Sequence, residues 1–204
     1  MIQHRNTRTE GAIKEAFITL TNAKGFDAMT VSDLAREAHI NRGTFYTHYT
    51  DKFDLRQQLL SNAMSDLTQI ILTPGPSFSR QTTGLQQTAD ADGRLISYNA
   101  LLDGLRYIKN DFAFFDAISH SGNDMQLYNR TKDIITELLL IEAEKVGKKP
   151  NRDDIPSVYV REMLAASLTA IVWLWLKRGC DEPPETIATI IDRARTLAPA
   201  DLLN

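Results

Sequence analysis

Residues 30–55 read TVSDLAREAHINRGTFYTHYTDKFDL, and their spacing decides the fold. Thr30 precedes Val31-Ser32-Asp33, a Thr-x-x-Asp start that resembles a capping box, in which hydroxyl and carboxylate satisfy free backbone N–H groups. Val31, Leu34, Ala35 and Ala38 then follow the three-or-four spacing of one buried face and predict a short helix to about Ala38. A tight turn near His39-Ile40 follows. Asn41 can cap a second short helix with Phe45 inward, and Asp51 a longer one running through Leu55, Leu59 and Ile70 toward Thr73. Two short helices joined so tightly, with Ala35 small enough for close packing and Ile40 plugging the turn, have the spacing of a helix-turn-helix.

With the second short helix in a major groove, the exposed positions would be Arg42, Gly43, Thr44, Thr47 and His48. Arg42 suits a bidentate contact to guanine, and Thr44 a phosphate or a thymine methyl. Tyr46 and Lys52 are placed to hold phosphates, while Gly43 acts by absence, letting backbone approach DNA closely. Taken singly, an arginine or lysine here is solvated surface and a tyrosine is packing. The ordered set carries the reading.

Upstream, Ile13, Phe17, Leu20 and Ala23 mark the buried face of a first helix, which Gly25 ends. Downstream, Pro74 to Gly93 is rich in Pro, Gly, Ser, Thr and Gln and reads as a mobile connection. Helical pattern resumes at Arg94–Asn110, Asp111–His120, Asp124–Val146, Ile155–Lys177 and Pro184–Leu197. Alternating strands and internal repeats do not appear. The expected fold is all-α, about nine helices, with an amino-terminal three-helix domain over residues 1–60 and a helical domain over 61–204.

Composition fits an intracellular protein. Of 204 residues 43% are hydrophobic and 24% charged, enough for a real core. One cysteine, Cys180, excludes an internal disulfide framework or a multi-cysteine zinc site and fits a reducing compartment. The first residues, MIQHRNTRTEGAIKEAF, lack the apolar stretch of a secretory leader. The longest uncharged apolar run, Met163 to Leu176, is short of a membrane span. A cytoplasmic protein without membrane contact is expected. Net charge is −3, yet residues 1–60 hold eight Lys/Arg against seven Asp/Glu, so the acidic excess lies in the body.

From about Thr7 to Leu60 the chain resembles the DNA-binding domain of the TetR family of bacterial transcriptional regulators. The resemblance rests on Thr30, Ala35 and Ala38, Gly43-Thr44-Phe45-Tyr46, His48-Tyr49 and Lys52. Departures are His39 where glycine is frequent, Tyr49 where phenylalanine is usual, and Phe53 where a polar residue is typical. The candidate DNA-binding set is Thr30, Arg42, Gly43, Thr44, Tyr46, Thr47, His48 and Lys52. The resemblance further implies a carboxy-terminal domain that dimerises and often holds an inducer pocket. LLDGLRYIKNDFAFFDAIS (Leu101–Ser119) loosely resembles the branch containing regulators of dihydroxyacetone kinase operons.

In the body, MLAASLTAIVWLWL is apolar on nearly all sides, and Ile187, Ile190, Ile191 and Ala194 add a second apolar face. A helix apolar all round must be covered all round, by its own domain on one face and by a partner on another. The helices at about 155–177 and 184–197 together resemble the two-helix dimer face typical of the family, which with a second copy would form a four-helix bundle; a single deep core helix in a monomer is the alternative. A homodimer implies a palindromic operator on double-stranded DNA. For a small apolar effector the candidate lining is Tyr98, Leu102, Leu105, Phe112, Phe115, His120, Met125, Tyr128 and Trp173, a stripe that plain core would equally explain. Asp116, His120 and Asp124 have metal-like spacing, but a solvated acidic face explains them better. No metal, cofactor or catalytic residue is expected, since nucleophile elbow, phosphate loop and His-Glu-x-x-His are all missing from the sequence. The expectation is a repressor released by a small molecule. A protein-binding helical regulator and an all-α enzyme stay open as alternatives.

Overall fold

The computed structural model describes residues 7–72, 98–122, 124–145, 147 and 155–194. Among these the chain is all-α, without a β-strand. Its helices are α1 (Thr7–Lys24), α2 (Val31–Glu37), α3 (Arg42–Tyr46), α4 (Lys52–Leu72), α5 (Tyr98–Asn110), α6 (Phe112–Ser119), α7 (Asp124–Lys145), α8 (Ser157–Lys177) and α9 (Pro184–Ala194). The connection expected at 74–93 and the end of the last helix at 195–197 lie outside the described residues.

By contact the chain forms two compact units. The first comprises Met1–Ser65 and Ala113–Leu127, and the second Asp66–Phe112 and Tyr128–Asn204.

In the first unit, Ile13, Ala16, Phe17 and Leu20 of α1 are buried, as the heptad-like spacing requires. Leu34 and Ala35 of α2, Phe45 of α3 and Leu55 and Leu59 of α4 are buried as well. Gly25, at φ +80°, supplies the left-handed residue that closes α1, its N–H donating to the Thr21 carbonyl at 2.9 Å. Phe114, Phe115, Ala117 and Ile118 of α6 are buried in this same unit, and the Lys14 ammonium lies 4.5 Å from the Phe114 ring centre. Each large apolar side chain fully buried contributes roughly 1.5–3 kcal/mol.

In the second unit α5 packs on α9, burying Leu102, Leu105 and Ile108 together with Ile187, Ala188 and Ile191. Gly104 permits close approach, because a Cβ there would stand 3.2–3.3 Å from Ile71 and Leu67 of α4. Arg106 closes the α5–α9 pair from outside, donating to the Glu185 carboxylate through Nε (3.2 Å) and Nη2 (2.7 Å). On α8, Trp175 is buried and its indole N–H donates to the Glu182 carbonyl at 3.0 Å. Tyr159, Met163 and Leu174 of the same helix are 62%, 63% and 61% exposed.

Candidate nucleic-acid interface

The recognition face is built from α2 upward. Thr30, in extended backbone, caps α2: its hydroxyl accepts from the Asp33 N–H (3.1 Å) and donates to Asp33 Oδ2 (2.7 Å). The Thr30 N–H in turn donates to the same carboxylate at 3.0 Å, completing the capping box that the sequence suggests. Asp33 also accepts from Lys24 Nζ at 2.5 Å and Arg36 Nη2 at 2.7 Å. The Lys24 ammonium, then the Thr30 hydroxyl and N–H, hold the Asp33 carboxyl far below the usual carboxylate range. Thr30 is thus exposed but already engaged in the cap.

The turn after α2 is closed by the Ile40 N–H on the Ala35 carbonyl at 2.9 Å. His39 takes φ +54° there, which explains why glycine suits this position. Asn41 stands at the capping position of α3, but its side chain makes no cap hydrogen bond, unlike the expectation. Phe45 pins α3 inward with no exposed surface, its ring 5.6 Å from that of Tyr49.

Of the expected contact residues, Arg42, Gly43, Tyr46 and Thr47 are exposed together on α3 and its end. Arg42 Nη2 reaches the Tyr46 hydroxyl at 3.4 Å. A Cβ added to Gly43 would meet nothing within 4 Å. Thr44 is half-buried, and the Thr47 hydroxyl donates to the Thr44 carbonyl at 2.7 Å.

Two further positions differ from expectation. His48 is not on the open face: its side chain is only 10% exposed, with Nδ1 3.6 Å from Glu10 Oε1 of α1. The turn from α3 to α4 folds its ring back onto the first helix. Lys52 does not extend to solvent either. Its ammonium donates to the carbonyls of Phe26 (3.0 Å), Asp27 (2.8 Å) and Met29 (3.0 Å), in the turn between α1 and α2. Asp51 caps α4 as expected, accepting from the N–H groups of Phe53 and Asp54 at 2.8 Å each.

Sequence reading missed Arg56. One turn beyond Lys52, its guanidinium carbon lies 4.4 Å from the Phe26 ring centre, and Nη1 donates to the Ser121 carbonyl at 2.7 Å. The unusual Phe53 was the one available signal, since both cations cover its ring.

The nine candidate effector residues divide between the units. Tyr98, Leu102, Leu105, Phe112, Tyr128 and Trp173 belong to the second, Phe115, His120 and Met125 to the first. Tyr128 and Trp173 meet edge to face at 5.8 Å, and Lys177 Nζ lies 5.1 Å from the Trp173 ring centre. Leu102 and Leu105 are core, and the Tyr98 hydroxyl donates to the Glu185 carbonyl at 3.4 Å. Phe115 is also buried, whereas His120 is exposed and Met125 is 70% exposed on the first unit, outside any core that would enclose a ligand there. Among the described residues no three His, Cys, Asp or Glu side chains converge as metal ligands.

A family model described as "Bacterial regulatory proteins, tetR family" matches residues 14–59, and one described as "Transcriptional regulator C-terminal region" matches residues 97–196. The uncharacterized HTH-type transcriptional regulator YxbF of Bacillus subtilis (strain 168) is 33% identical over 67 residues, covering 32% of this chain and 18% of that protein. The chain therefore spans under a fifth of the length of that relative. Among solved structures, the dihydroxyacetone kinase operon activator DhaS is 21% identical with a TM-score of 0.59, over 91% of this chain and 93% of that one. The fatty acid degradation regulator FadR from Bacillus halodurans is 16% identical with a TM-score of 0.63, over 95% of each chain.

Proposed function

Since this chain belongs to the TetR family of bacterial transcriptional regulators and is itself a DNA-binding regulator, we propose that it is a cytoplasmic homodimeric repressor of a palindromic operator, released by a small apolar effector. The observation that carries the DNA reading is the surface of α3, where Arg42, Tyr46 and Thr47 stand exposed around a glycine with open space before it. In this reading residues 1–60 are the DNA-binding domain and 61–204 the regulatory and dimerisation domain. Arg42 reads a guanine edge, Tyr46 and Thr44 hold phosphates, and Thr47 flanks them.

Dimerisation is supported by α8 and α9. Only 17% of the most apolar stretch of α8 is buried within the chain, and Tyr159, Met163 and Leu174 fall on one side of it, with Ile190 exposed on α9. By length and composition α8 would also satisfy a membrane span. Arg161 and Glu162 within its second turn, and a family of DNA-binding regulators, favour a second copy as the cover. The effector reading rests on the Tyr128–Trp173 pair with Tyr98, Leu102, Leu105 and Phe112 in the same unit. An effector that binds better to a dimer whose heads are wrongly spaced would shift the population off the operator.

The test is selection of the purified protein on a random duplex pool, followed by sequencing. An enriched twofold palindrome is expected, and Arg42→Ala should cost about 1–3 kcal/mol of binding and relax preference at one position of each half-site. No enrichment, or an Arg42→Ala protein indistinguishable from wild type, would sink the reading.

A further inference from the structure

We propose that Lys52 is a positioning residue, which with Arg56 clamps the turn ahead of α2 and makes no phosphate contact on DNA. The inference deepens the DNA-binding reading and rests on it. An ammonium has three N–H donors and no acceptor. All three of Lys52 are taken, by the Phe26, Asp27 and Met29 carbonyls at 2.8–3.0 Å. A cation in the first turn of α4 also faces the positive end of the helix dipole, an unfavourable place unless oxygens compensate. The three carbonyls do so.

The rings of Phe26 and Phe53 cover the ammonium at 4.8 and 5.3 Å. Arg56 lies over the same two rings at 4.4 and 5.8 Å and bonds the Ser121 carbonyl. The first two turns of α4 are thereby fastened to the 26–29 turn and to residue 121, all within one compact unit. Because that turn leads directly into the Thr30 cap, Lys52 sets where α2 and α3 stand on the helices behind them. Arg42, by contrast, is exposed and free to meet a nucleic acid.

The first experiment needs no variant. Reductive methylation of the full chain is followed lysine by lysine, with and without the duplex enriched from the random pool. Lys52 is expected to react several-fold more slowly than the exposed Lys177 in both states. Fast reaction in free protein overturns the clamp, whether or not DNA then protects it, and so does slow reaction that becomes fast on DNA. The second experiment compares Lys52→Gln and Lys52→Arg by duplex affinity against salt. A guanidinium serves a phosphate well but cannot occupy three carbonyls as an ammonium does. Both variants should therefore lose a similar factor, on the order of tenfold, with the slope of log K against log salt unchanged. A near-wild-type Lys52→Arg, or a slope reduced by about one in Lys52→Gln, would establish a phosphate contact instead. Should either variant fail to fold, the labelling of the wild-type chain decides. Should no duplex be enriched, the operator reading fails, while labelling of the free protein still tests the clamp.

Discussion

Gly43 sits inside a helix, where glycine is destabilising by roughly 0.5–1 kcal/mol relative to alanine. Nothing in the chain asks for it, since a Cβ there would meet no atom within 4 Å. Gly43→Ala should therefore raise stability by about 0.5–1 kcal/mol in a denaturant melt and at the same time weaken duplex binding. Gain of stability with unchanged affinity would remove the close backbone approach from the reading. His39 is the opposite case, a residue whose left-handed backbone the turn does require and whose side chain pays for it in strain.

At the scale of elements, the Thr30–Asp33 box makes a prediction about acid. The Asp33 carboxyl titrates well below its ordinary value of 3.8 in the folded protein. Its contribution is fully present above the unfolded value and is lost as pH falls through the folded one, so stability should begin to drop below about pH 4 and keep falling as the solution is made more acid. Asp33→Asn should be less stable at neutral pH and show a shallower acid limb in urea melts taken across that range. An acid limb identical to wild type would mean that other carboxylates govern it. The box, the turn and the buried faces of α1 and α2 were legible in the sequence because their partners lie three to five residues away. Lys52 and Arg56 were not. Their partners lie 23–26 and 65 residues distant, and no local period reports such a pairing. His48 was misread for the same reason, its neighbour Glu10 being on another helix.

At the scale of the whole molecule, the apolar character of α8 could be read from its sequence, but the side left uncovered could not, because that depends on what α9 and the rest of the unit bury. Met163→Glu with Leu174→Glu should yield a monomer of unchanged helicity in sedimentation velocity, since both side chains are more than 60% exposed within one chain. Duplex affinity should fall by about two orders of magnitude as the second half-site contact ceases to be intramolecular. A dimer that survives both charges would place the interface elsewhere.

The first unit is discontinuous in sequence, with Ala113–Leu127 completing what Met1–Ser65 begins. Synthesis is directional, so a nascent chain that has emerged through Ser65 still lacks Phe114, Phe115 and Ile118. Another 60 or so residues must follow, which takes on the order of 3–12 s at 5–20 residues per second. During that interval apolar surface awaiting α6 is open to chaperones. The unit that carries α3 is therefore completed only once α6 has been made, although α3 precedes α6 in the chain.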